Sequence, residues 1–225
     1  MYRKVENSVY AGFAAGWFIG CQVLIIGIVK FLVGEPELFL EYYNQHMYKI
    51  NLWVQIVCML GFLLIDSRVM KSNFLSEYKD WQNKKVVKYI FYGIGFWLVS
   101  TVVNGVLIVF FSDYSSQIQT LFMNEEKVAR FMVLVVFAPL VEEYVFRGKI
   151  QARLKTAFGA PMAIVIQGVC FGLIHAIALQ KIYASLLGIG FGIVKEKEKN
   201  LQSSTVMHMT INLIGWTIGT FINNS

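Results

Sequence analysis

A chain of 225 residues, 56% hydrophobic and only 15% charged, with a mean hydropathy of +0.56, departs from soluble domains, which carry roughly 25% charged and about 45–50% apolar residues. No polar stretch is long enough for a separate soluble domain. The net charge of +6 is not read as a nucleic-acid signal, because the cations fall between apolar runs rather than in one basic patch.

About seven helices of roughly 20 residues fit this length. Val9 to Leu32 is the first apolar run, with Gln22 and Lys30 its strongly polar residues, and Gly34-Glu35-Pro36-Glu37 ends it. Phe18-Ile19-Gly20-Cys21 is faintly similar to a lipoprotein cleavage box, yet the apolar run continues well past it. That favours an uncleaved spanning helix over a signal peptide. Met47 to Ile65 is the second run, with Asn51 and Gln55 inside. Asp66 to Lys88 is polar and basic, and Val87 to Phe111 is the third run. Asp113 to Lys127 reads as a polar, partly helical connection, and Val128 to about Phe146 is the fourth run.

Lys149 to Lys155 is basic, with Ile150 and Leu154 at i, i+4; it reads as a short amphipathic turn along the membrane surface. Ala163 to Leu179 is the fifth run and contains Gln167 and His175. Ile182 to Val194, the sixth, is short and carries Gly188, Gly190 and Gly192. Small residues let helix backbones approach closely, so this helix is expected inside the bundle. Lys195-Glu196-Lys197-Glu198-Lys199 reads as a solvated charged turn, and Ser203 to Phe221 is the seventh run, with His208 and Asn212. Cys21, Cys58 and Cys170 all lie in apolar runs and read as packing residues, with no disulfide framework indicated.

The expected fold is therefore an all-α, multi-pass transmembrane bundle of about seven spans. Lysine and arginine orient it. With the N-terminus in the cytoplasm, fifteen of the twenty fall on the cytoplasmic side, among them Arg68, Lys71, Lys79, Arg147 and Lys195, and the bias alternates with every loop. Two parts are expected: residues 1–127, holding the first three helices, and residues 128–221, holding the groups that carry chemistry.

Those groups are polar residues in apolar surroundings. A bilayer charges several kcal/mol for an unpaired ionised group at its centre, so such groups are rare and usually functional. Glu142-Glu143-x-x-x-Arg147 ends the fourth run. On a helix Glu143 and Arg147 are i, i+4 neighbours and can pair, while Glu142 lies roughly 100° around the axis. One carboxylate is then held and the other left free. The bland alternative is a helix end dipping into the headgroups with both carboxylates solvated. Phe171-x-x-x-His175 lies in the fifth run, where a lone histidine is often a packing residue. His208-x-x-x-Asn212 puts two polar groups on one face of the seventh helix, where interhelical hydrogen bonding is the simpler reading. Together, a glutamate, two histidines and an asparagine in three helices are groups that can activate water, bind a metal or stabilise an oxyanion.

The series Glu142-Glu143-x-x-x-Arg147, Phe171-x-x-x-His175 and His208-x-x-x-Asn212 resembles that of the CPBP (Abi, type II CAAX prenyl endopeptidase) family of intramembrane proteases, over roughly Val128 to Phe221. The resemblance implies an intramembrane endopeptidase acting on a membrane-associated peptide or protein. Glu142 would activate the hydrolytic water, with Glu143 and Arg147 orienting it. His175 would help position Glu142 or its water, and His208 and Asn212 would polarise the scissile carbonyl. Glu142, His175 and His208 are the ligands if a metal, zinc being the candidate, is bound. The chain has no HExxH helix, and glutamate catalysis without a tightly bound metal is favoured. By resemblance the location is a bacterial cytoplasmic membrane. A non-enzymatic partner-binding role, as in bacteriocin immunity or regulation, is the second reading. A small transporter is the third, although no inverted repeat supports it.

Overall fold

The computed structural model describes residues 2–65, 77–78, 81–111, 113–122 and 126–222, and these form an all-α bundle. Helix α1 (Tyr2–Val33) ends at Gly34, whose φ of +85° is a left-handed conformation that glycine adopts without a Cβ penalty. Helix α2 (Pro36–Ile65) opens on a proline, which a first helical turn tolerates, and is interrupted at His46 (φ −115°, ψ 16°). Helix α3 (Asn83–Leu107) ends in the single 3-10 turn Ile108–Phe110, and α4 (Tyr114–Phe122) is short.

Next comes one continuous rod, α5. It consists of Lys127–Phe131, a π-helical stretch Met132–Phe137, Ala138–Glu143, a second π-helical stretch Tyr144–Gln151, and Ala152–Phe158. Gly159, again at φ +85°, turns the chain into α6 (Ala160–Leu173). Helix α7 (Ala178–Glu198) closes on Lys199 in the left-handed region. Helix α8 (Leu201–Ile222) follows, its first turn capped by Asn200, whose Oδ1 accepts the Ser203 N–H at 3.0 Å.

Lys4–Val33, Pro36–Ile65 and Asn83–Phe110 are each long and apolar enough to cross a membrane. Their outward faces carry Phe31 (85% exposed), Val109 (79%), Val102 (68%) and Phe91 (67%). Exposed apolar surface on this scale is not tolerated in water by a soluble monomer. This is a membrane protein.

The core lies where α1, α2, α5 and α6 meet. Phe18, Cys58, Phe62, Tyr144, Phe146 and Phe171 are all buried there. Helices α6 and α7 touch backbone to backbone through glycine: a Cβ on Gly172 would stand 2.3 Å from the Lys181 carbonyl oxygen, and one on Gly188 2.9 Å from Gly168 Cα. Gly188, Gly190 and Gly192 are all buried, as expected for a helix inside the bundle.

Several local expectations change. Residues 149–155 do not form a surface turn. They continue the α5 rod, with Lys149, Ile150, Gln151 and Leu154 buried, because Ile150 and Leu154 face the protein core rather than lipid. Residues 195–198 are the last turn of α7, not a loop. Lysines at a helix C-terminus complement its dipole, and Glu198 is held by Lys88 at 2.7 Å, by Lys85 at 3.9 Å and by the Tyr89 hydroxyl at 3.1 Å. The Lys88 hydrogen bond holds the Glu198 carboxyl below the usual carboxylate range. The fifth run is a helix only to Leu173, so His175 lies in the turn that follows it. Arg68, Lys71 and Lys79, which enter the orientation argument, lie outside the described residues.

Candidate active site

Glu143 occupies the centre of the polar cluster. Its carboxylate is completely buried, as is Arg147 one turn on, and the two are joined at 3.0 Å between Oε1 and Nη1. The same Oε1 stands 3.0 Å from Nδ1 of His208 on α8. A carboxylate paired with arginine only accepts, so His208 Nδ1 carries the hydrogen. The i, i+4 pair expected from the sequence is therefore present, with a partner that only the fold supplies.

Arg147 is fixed on its other sides. Nη2 donates to the Gly188 carbonyl at 3.2 Å. The guanidinium carbon sits 4.3 Å from the Phe171 ring centre and 5.2 Å from that of Phe191, within the range of cation–π attraction. Gln167, fully buried on α6, donates to the same Gly188 carbonyl at 2.8 Å. The glycine contact between α6 and α7 brings that carbonyl within reach of both donors, since any side chain at Gly168 or Gly188 would separate the helices.

Glu142 is treated differently. Its side chain is 13% exposed, and its Oε2 lies 3.9 Å from His208 Nε2, too far for a hydrogen bond. Among the described residues Glu142 has no hydrogen-bond partner. Of two adjacent carboxylates, one is clamped from two sides and the other left available beside an imidazole nitrogen.

His175 and Asn212 flank this centre. His175 Nδ1 is 2.9 Å from the Phe171 carbonyl oxygen; a carbonyl only accepts, so this nitrogen also carries its hydrogen and leaves Nε2 open. The His175 and His208 rings both meet the Phe171 ring, at centroid separations of 5.2 and 5.6 Å. Asn212, one turn beyond His208, donates to the Leu134 carbonyl at 2.8 Å, joining α8 to the first π-helical stretch of α5. The structure thus brings Glu142, Glu143, Arg147 and His208 together, sets His175 beside them across Phe171, and uses one hydrogen of the Asn212 amide in an interhelical bond.

Among the described residues, no three His, Cys, Asp or Glu side chains are grouped to hold a metal ion. Glu142, His175 and His208, the three conditional ligands, are not drawn into one metal-binding group in this structure, although the bonds to both Nδ1 atoms leave each Nε2 open, as in metal-ligating histidines.

Residues 124–214 match a family model, Rce1-like, described as Type II CAAX prenyl endopeptidase Rce1-like. The resemblance to the CPBP family is thereby shown. No curated protein and no solved structure matches the chain. The Rce1-like region contains every residue of the polar cluster, and a match of this kind implies a CAAX-protease-like membrane peptidase.

Sequence reasoning gave little weight to Gln167, Phe171 and Phe191, which surround Arg147. A signal for Gln167 existed: a glutamine inside an apolar run needs a partner, and it lies four residues before Phe171. Nothing local marked Phe191 or the Gly188 carbonyl, because their role depends on which helix lies opposite.

Proposed function

We propose that this protein is an intramembrane endopeptidase that hydrolyses a peptide bond in a membrane-associated peptide or protein, with residues 128–221 as its catalytic core. The observation that carries this reading is the inequality of the two glutamates: Glu143 is locked between Arg147 and His208, while Glu142 is left beside His208 Nε2 at 3.9 Å. Glu142 takes a proton from water as the water oxygen attacks the scissile carbonyl. It then returns that proton to the departing amine as the C–N bond breaks.

His208, in its doubly protonated form, donates from Nδ1 to Glu143 and from Nε2 to the oxyanion that develops on the substrate carbonyl. A donor held in place before reaction needs no reorganisation in the transition state. Glu143 and Arg147 act as the frame that aims His208. His175, with Nε2 open, steadies the water or Glu142, and the remaining hydrogen of the Asn212 amide is a second donor for the carbonyl. The chain is proposed to cross the membrane about seven times with a cytoplasmic N-terminus, in a bacterial cytoplasmic membrane.

The test is mass spectrometry of membrane-anchored model peptides incubated with purified protein. Wild type is expected to cleave, with or without chelator, and Glu142→Ala to leave the peptides intact. Unchanged cleavage by the variant would remove Glu142 from the mechanism, and loss of cleavage on chelation would replace the metal-free scheme.

A further inference from the structure

One residue outside the Rce1-like region reaches both helices that carry the cluster. Tyr78 lies in the connection between α2 and α3. Its hydroxyl is 3.1 Å from Oγ1 of Thr205 on α8 and 3.4 Å from the carbonyl oxygen of Leu140 on α5. Leu140 is two residues before Glu142, and Thr205 three residues before His208. The ring packs against the core cluster that contains Val141, Tyr144 and Leu201.

Hydrogen accounting limits how these groups bond. Tyr78 and Thr205 each have one hydroxyl hydrogen, and Thr205 Oγ1 is also 2.9 Å from the Leu201 carbonyl. Either Tyr78 donates to Thr205, which donates to Leu201, or Thr205 donates to Tyr78, which donates to Leu140. The distances favour the first, with the Tyr78 hydrogen bond to Thr205 at 3.1 Å as the main branch and the Leu140 carbonyl at 3.4 Å as the weaker branch of a three-centre bond, so the hydroxyl still reaches both helices. Burial pushes the Tyr78 phenol well above its usual range, so the donor is kept. Nearby, Gln82 and Gln202 exchange two hydrogen bonds, Gln82 N to Oε1 at 2.8 Å and Nε2 to Gln82 O at 3.0 Å. They fix the same connection to the first turn of α8. The Trp81 N–H also donates to the Tyr78 carbonyl at 3.1 Å.

We propose that Tyr78 is a positioning residue: its hydroxyl, through Thr205 and Leu140, sets the spacing between the helix that carries Glu142 and Glu143 and the helix that carries His208. The reaction it serves is the hydrolysis proposed above, and the inference rests on that reading for its catalytic consequence. The 3.9 Å gap between Glu142 and His208 is the distance it controls. Displacements near 1 Å can cost as much as a hundredfold in rate, and a lost tether that only loosens the gap costs less.

The experiment compares wild type, Tyr78→Phe, Thr205→Ala and Thr205→Ser. Tyr78→Phe keeps the packed ring and removes the hydroxyl. It is expected to lower kcat roughly tenfold with KM unchanged, and Thr205→Ala to do the same without adding to it in the double variant. Thr205→Ser, which restores the hydroxyl, retains most of the activity. Amide hydrogen exchange in residues 141–146 and 205–209 is expected to quicken together in Tyr78→Phe. A wild-type kcat in Tyr78→Phe overturns the proposal. If wild type cleaves no peptide, the hydrolase reading fails on its own, and exchange still decides the tether: faster exchange in both segments upholds it, and unchanged exchange overturns it.

Discussion

Helices α1 to α3 and helices α5 to α8 answer to different neighbours. In α1 and α3 the most apolar stretches are mostly exposed, and their outward side chains are Val, Leu, Ile and Phe. Lipid is the partner of these surfaces, and it asks only for apolarity and length. In α5 to α8, Glu143, Arg147, Gln151, Gln167, Ser203, Ser204 and His208 are buried. Here another helix supplies partners: Glu143 meets His208, Arg147 and Gln167 meet the Gly188 carbonyl and Gln151 meets that of Gly192, while Ser203 and Ser204 bond to the backbone of their own turn. The first half tolerates many sequences. The second is specified almost side chain by side chain, and the polar cluster is found there.

The sharpest way to break that contrast is Glu142→Gln. Removing a general base costs roughly 10²–10⁴ in rate, so peptide cleavage is expected to fall by that factor in a mass-spectrometric assay while the protein remains folded. Arg147→Met is the strongest expected effect on stability. It leaves the buried Glu143 carboxylate without its cation, which typically costs about 3–5 kcal/mol, measured as a lowered thermal midpoint in detergent. Arg147→Lys should not restore it, because one ammonium does not reproduce a fork that reaches Glu143 and Gly188 from separate nitrogens.

Gly172→Ala tests the glycine contact. A Cβ there meets backbone at 2.3 Å, so α6 and α7 have to separate, at a cost of about 1–3 kcal/mol in the same thermal assay. Glu198→Gln is expected to do less, and its effect depends on pH. The folded carboxyl titrates below its ordinary value because Lys88, then Tyr89, bond its charged form. The stabilisation is complete above the unfolded carboxylate pKa and fades as pH falls through the lower folded one. The difference in midpoint between wild type and variant should therefore close on acidification. Smallest of all is Val102→Leu on the exposed face of α3, expected within about 0.5 kcal/mol of wild type. A large loss there would mean that this face meets protein rather than lipid.

The sequence by itself determined the all-α class, the long apolar helices and the residues of the polar cluster. Hydropathy over 20 residues survives any packing arrangement, and an ionisable group in an apolar run is conspicuous wherever it points. The Glu143–Arg147 pair was legible because both members lie on one helix, where spacing fixes geometry. The tertiary structure decided what depends on helices meeting: that His208 and Arg147 share one oxygen of Glu143, that Gly188 and Gln167 complete the support of Arg147, and that Asn212 bonds to Leu134. It also decided that Ile150 and Leu154 face the core, and that His175 lies in a turn. Each of these turns on which surface another helix presents at a separation of a few ångströms, and a pattern of residue types along one chain does not contain that distance.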